Sequence, residues 1–144
     1  MLLEKDAMPL LIATRLASSP IHGLGLFAEE AVAAGTPVWA FDARIDRLLA
    51  PDDAVLAEFP QVARLVDFHG CVIEGVGVLL PGDDARFLNH ADGPSIGRAD
   101  PGDWRRFVAR RAIAAGEEIT CNYEDICADV REAGAALYLT GAAG

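Results

Sequence analysis

Lysine is almost missing from this chain. Of its 12 basic residues only Lys5 is a lysine, and the rest are arginine. That bias fits a GC-rich coding sequence of bacterial type. Cysteine is nearly as scarce. Cys71, Cys121 and Cys127 are odd in number and form no C-x-x-C pair, which argues against a disulfide framework and against a structural zinc cluster. No apolar run approaches the roughly 18 residues that mark a membrane span. The opening residues Met1 to Asp6 lack a basic stretch followed by a long apolar one, so no secretory leader is expected. A reducing cytoplasm is the simplest location. Positive charge is also in deficit, with a net charge of −10. An acidic surface repels phosphate backbones, so direct nucleic-acid binding is not expected. The same charge keeps the protein soluble and steers basic partners toward it.

What the chain does contain is ordinary for a globular domain. About half of it is hydrophobic (52%), enough for one core, and its 144 residues are too few for two. We read residues 1–144 as a single domain, with a core over about 10–124, a helical insert over about 50–68 and a tail over 125–144.

A diverged internal repeat organises the reading. Residues 27–38 (FAEEAVAAGTPV) align with 108–119 (VARRAIAAGEEI), with five of twelve positions identical. Each copy reads as strand, Ala-Ala-Gly turn, strand, with Gly35 and Gly116 expected at positive φ. Further strands are expected at Leu10 to Thr14, Gly25 to Ala28, Val38 to Phe41, Cys71 to Leu80 and Arg106 to Arg110. They are short and punctuated by glycine and proline, so the fold class is mainly β with small sheets. Pro51 to Phe68 is the clearest helical segment. Asp52 and Asp53 suit its start, Val55, Leu56, Phe59, Val62, Leu65 and Val66 form its apolar face, and Pro60 divides it. Asp83 to Asp103 reads mostly as loop, and a further helix is expected between Asp125 and Leu139.

Three blocks carry the chemistry. His22-Gly23-Leu24-Gly25, followed by Leu26-Phe27-Ala28, lets backbone approach a ligand closely, although alone it is simply a tight turn. Arg86-Phe87-Leu88-Asn89-His90 offers amide and imidazole groups that both donate and accept. Gly116-Glu117-Glu118-Ile119-Thr120-Cys121-Asn122-Tyr123 ends on a phenol. Glu117 and Glu118 are expected to fix the turn and the chain path. His69 has no motif around it and reads as structural.

Together, and in this order, the blocks resemble the SET-domain protein lysine methyltransferases. The resemblance implies a β-clip fold with a C-terminal pseudoknot, and S-adenosylmethionine as methyl donor to a lysine amine. It implies that His22, Gly23, Leu24, Gly25, Arg86, Phe87, Asn89, His90 and Tyr123 hold the donor, with Tyr123 catalytic. Trp39, Phe41, Phe87 and Cys121 would wall the lysine channel, Phe41 standing where family members often carry tyrosine. Cys121 takes a place often filled by an aromatic residue, leaving room for more than one methyl group. Where the family usually continues Ser-Cys-x-Pro-Asn, this chain has Ala91-Asp92-Gly93-Pro94-Ser95. With that cysteine and the C-terminal cysteine cluster both absent, no metal is expected. The substrate would be a basic, lysine-bearing protein or peptide, and either the tail from Asp125 to Tyr138 or a second subunit in a homodimer would close the site. The alternative is a catalytically weak or inactive module of the same fold that binds S-adenosylmethionine or a basic partner. A third reading is a β-clip protein without cofactor.

Overall fold

The computed structural model describes residues 9–50, 52–73 and 76–123. The expected tail helix lies outside the described residues. The fold is mainly β, with small sheets and a short helical insert, consistent with a SET-domain β-clip.

Three small sheets carry the chain. In the first, β1 (Thr14–Ser18), β2 (Leu24–Ala28), β10 (Glu118–Cys121) and β7 (Asn89–His90) lie in that order. The second runs β3 (Pro37–Ala40), β9 (Asp103–Ala109), β8 (Ile96–Asp100), and the third runs β4 (Arg47–Leu49), β6 (Gly77–Leu80), β5 (Cys71–Ile73). The repeat is real in three dimensions. Its copies supply β2 and β3, then β9 and β10, and both Gly35 and Gly116 adopt φ +86°.

Three sequence expectations are corrected, one of them Cys71 to Leu80, which is no single strand but the antiparallel pair β5 and β6. The first strand is Thr14–Ser18 rather than 10–14, because Thr14 to Ser18 pair residue by residue with Ala28 to Leu24, while Leu10 makes only an isolated bridge to Trp39. Residues 83–103 are not mostly loop, since β7 and β8 lie there, β7 completed by the distant β10 and β8 forming a hairpin with β9.

Asp53 caps the first helix, α1 (Ala54–Glu58), by accepting from the Val55 N–H at 2.9 Å. Pro60 opens α2 (Pro60–His69) at a position where its missing N–H costs nothing. The expected apolar face is divided. Val55, Leu56 and Val66 pack with Leu49, Val78 and Leu80, whereas Phe59 and Leu65 are exposed. The larger core joins the other two sheets through Leu26, Val38, Ile96, Ile113 and Ile119, with Trp39 edge-on to Phe107. The odd cysteine count argues against a disulfide framework, yet Cys71 is disulfide-bonded, while Cys121 is a buried thiol whose Sγ lies 3.9 Å from the Asn89 carbonyl oxygen.

Candidate functional site

Strand β10 decides what meets what. It runs antiparallel to β2 (Ile119 opposite Leu26) and parallel to β7 (Thr120 opposite Asn89). The three sequence blocks therefore lie side by side, although 65 positions separate Leu24 from Asn89.

Asn89 is the knot of this arrangement. Buried at 7% exposure, its amide nitrogen lies 3.1 Å from the carbonyls of His22 and Leu24 and 2.9 Å from Glu118 Oε2. Two N–H bonds are thus shared among three acceptors. Glu118 also accepts from the Ser19 hydroxyl, which lies 2.8 and 2.9 Å from its two oxygens, and Ser19 Oγ in turn accepts from the N–H of Ile21. A Cβ on Gly25 would stand 2.3 Å from Glu118 Oε2 and 2.9 Å from Ser19 Cβ, so glycine is required there by close approach. Gly23 requires it for a different reason, its φ of +48°. Glu117 serves the turn, accepting from the Ala114 N–H at 2.9 Å and from Arg111 at 2.6 Å. These donors, the Ala114 N–H foremost, hold its carboxyl below the usual range. Glu118 does more than hold a turn, since it ties the first block to the second.

Beyond Asn89, the Tyr123 N–H donates to His90 Nδ1 at 3.0 Å, and the two rings pack with centroids 5.2 Å apart. With Nδ1 accepting, the neutral ring carries its proton on Nε2, which lies 3.0 Å from Asp92 Oδ1. The residue standing where the family usually has cysteine thus orients His90. The Tyr123 hydroxyl donates to the Leu88 carbonyl at 2.8 Å. Burial, with the Cys121 thiol adding to it, pushes this phenol up to about 12. Tyr123 as a whole is 41% exposed, so the withdrawn part is its hydroxyl end.

Next to this hydroxyl opens a mostly apolar cavity of about 320 Å³. Of the sequence candidates, Trp39, Arg86, Cys121 and Tyr123 line it. His22, Gly23, Leu24, Gly25, Asn89 and His90 belong to the neighbouring cluster and do not. Phe41 and Phe87, expected as channel walls, are not among the lining residues: Phe41 packs on Trp104 with centroids 5.1 Å apart, and Phe87 on His69 at 5.0 Å. The Arg86 guanidinium folds back onto the Pro81 carbonyl, at 3.1 and 2.8 Å. Sequence reasoning missed the lining residues Phe68, His69 and Phe107. No local motif marks them, because they reach the cavity from α2 and β9 only after folding.

The described residues thus bring the glycine-bearing strand β2, the Asn89-His90 pair and Tyr123 together about strand β10. A family model for the SET domain matches residues 23–124, more than half of the chain, and the chain belongs to the SET-domain family. Among curated proteins no relative matches. Among solved structures, the chain is similar to a Chaetomium thermophilum Polycomb Repressive Complex 2 chain in an autoinhibited conformation bound to S-adenosylmethionine. They share 27% identity over 85% of this chain and 16% of that one, with a TM-score of 0.61. A humanized mutant of the same fungal complex, bound to an inhibitor, shares 28% identity over 88% of this chain and 17% of that one, with a TM-score of 0.61. The chain therefore spans less than a fifth of the length of these relatives. SET-domain membership places it in a methyltransferase-like enzymatic class whose members typically use S-adenosylmethionine and act on lysine-bearing proteins.

Proposed function

We propose that this SET domain transfers a methyl group from S-adenosylmethionine to a lysine amine of a basic protein. The observation that carries the reading is Tyr123. Its backbone is tied to His90 beside the Asn89 cluster, while its hydroxyl lies on the Leu88 carbonyl at the rim of an apolar cavity.

The residues present fit the donor. The carbonyls of His22 and Leu24 and the Glu118 carboxylate converge on Asn89, an acceptor-rich patch that suits a cationic amino-acid moiety, and Gly23 leaves open space beside them. Asn89 would act by fixing these acceptors rather than by offering a free N–H. His90, stacked on Tyr123, would border the rest of the molecule, which supplies an electrophilic methyl group on sulfur when bound.

The chain's own contribution is alignment and desolvation. An apolar cavity lowers the pKa of an entering lysine, favouring the neutral amine that has a lone pair, and water carries away its proton. Reacting atoms must be held about 3–3.5 Å apart, and fixed walls accomplish this. The Tyr123 phenol stays protonated at neutral pH and holds the Leu88 carbonyl, so both oxygens are available for weak C–H···O contacts with the moving methyl. Cys121 lines the cavity with a smaller side chain than an aromatic ring, consistent with di- or trimethyl products. Mass spectrometry of a reacted peptide tests this, and a strict monomethyl product would refute it.

Net acidity supports a basic substrate and argues against a nucleic-acid partner. The arginine bias alone supports a bacterial type. A homodimer remains part of the proposal, and sedimentation tests it. The second reading, a weak or inactive module that binds the donor, is favoured by Asn89 being satisfied within the protein. Incubation with labelled S-adenosylmethionine and basic proteins, beside calorimetry with the donor, separates the two. Transfer that falls roughly tenfold to a hundredfold in Tyr123→Phe supports the enzyme. Binding without transfer supports the module.

A further inference from the structure

Arg86 and Leu88 line the cavity, one within the 3-10 turn Asp84–Phe87 and the other just after it. The last carbonyls of such a turn have no partner within it, and its internal bonds sit at the upper end of the ordinary range: 3.2 Å from the Arg86 N–H to the Asp83 carbonyl and 3.1 Å from the Leu88 N–H to that of Ala85. Outside groups must hold this backbone. One is the Tyr123 hydroxyl on the Leu88 carbonyl, from 35 positions downstream. The other is His69, from 17 positions upstream, whose Nδ1 lies 3.1 Å from the Arg86 carbonyl.

A carbonyl can only accept, so Nδ1 carries the hydrogen and His69 is the donor. The ring is held from the side by Phe87, edge to face at 5.0 Å, and by Phe68 at 6.4 Å. His69 is the final residue of α2, so its ring position is set by a ten-residue helix rather than by a loop. Both donors line the cavity, and so do both residues whose carbonyls they hold.

We infer that His69 is a positioning residue for methyl transfer, holding the Arg86 carbonyl as Tyr123 holds that of Leu88. Without its donor the Arg86 carbonyl loses its partner and the segment can rotate. Leu88 then shifts, and the phenol bonded to it shifts too. The inference rests on the proposed methyl transfer.

The test compares wild type, His69→Phe, which keeps an aromatic ring but has no donor, and His69→Asn, whose amide nitrogen reaches the place of Nδ1. Measured are kcat, KM for S-adenosylmethionine and for a lysine peptide, and thermal melting. A misplacement on the ångström scale costs up to about 100-fold, so His69→Phe should lose about ten- to a hundredfold in kcat with cofactor KM changed less than about twofold, while His69→Asn recovers most of the rate. Parent-like kcat in His69→Phe, or no recovery in His69→Asn, overturns the inference while leaving methyl transfer intact. If His69→Phe does not fold, His69→Asn is compared with His69→Gln, whose nitrogen falls near the Nε2 position instead. A faster Asn variant supports the inference and an equal or faster Gln variant overturns it. A wild type that melts cooperatively but transfers no methyl group overturns the methyl-transfer reading itself, and this inference with it.

Discussion

Val32 and Ile113 exchange two backbone hydrogen bonds, each 2.8 Å, across an antiparallel bridge. They occupy the same position in the two copies of the repeat. The reciprocity extends further: the Gly35 N–H donates to the Ala109 carbonyl at 2.7 Å, and the Gly116 N–H to that of Ala28 at 2.7 Å. The copies therefore pair with each other about a local two-fold relation, and this pairing brings β10 beside β2.

Because Gly35 and Gly116 share φ +86° with open space around them, a side chain at either place meets backbone strain rather than collision. Gly35→Ala and Gly116→Ala should each cost about 1–2 kcal/mol. Urea unfolding should show two similar losses, as the two sites are equivalent.

Gly25→Ala should behave differently. The new methyl would push Glu118 from Ser19 and Asn89, in a place where all three groups are already bonded. Crowding of this kind costs about 1–3 kcal/mol. In the proposed function it should also weaken S-adenosylmethionine binding, as calorimetry would show. Unchanged binding would mean that the network does not shape the donor site.

The Tyr123 phenol titrates at about 12 in the folded protein, against an ordinary 10.0. Below pH 10 both folded and unfolded chains keep the proton, so the contribution is fully present. Between about 10 and about 12 only the unfolded chain loses it, and stability falls as pH rises. Urea midpoints followed through this range should decline more steeply for the parent than for Tyr123→Phe.

Asp46 is buried at 2% exposure and accepts from the N–H groups of Asp42 and Gly82, at 3.0 and 2.9 Å. Burial raises its carboxyl above the usual 3.8. By the same linkage its contribution is greatest in acid and declines as pH rises through the raised value. Its two accepted bonds still make Asp46→Ala costly at neutral pH, by roughly 1–3 kcal/mol in denaturant unfolding.

Much of the local structure was legible. The repeat, the two glycines at positive φ and the break at Pro60 are consequences of backbone chemistry within a few residues. The first strand is not legible locally because Thr14 to Ser18 is polar and alternates weakly, so its pairing with β2 outweighs its own preference. Strand β8 is hidden in the sequence because Gly97 and the turn residues around it obscure a run whose partner is β9.

The sequence by itself determined the family blocks, their order and the turns that end each strand, since these depend on residue type and spacing. Only the tertiary structure decided that Glu118 ties to Asn89, that Phe41 and Phe87 turn to other partners, and that His69 reaches Arg86. The reason is register. A strand slipped by one residue presents its other face, so contacts across 17 to 99 positions are settled when β10 enters between β2 and β7 and when α2 docks, not by any stretch of chain alone.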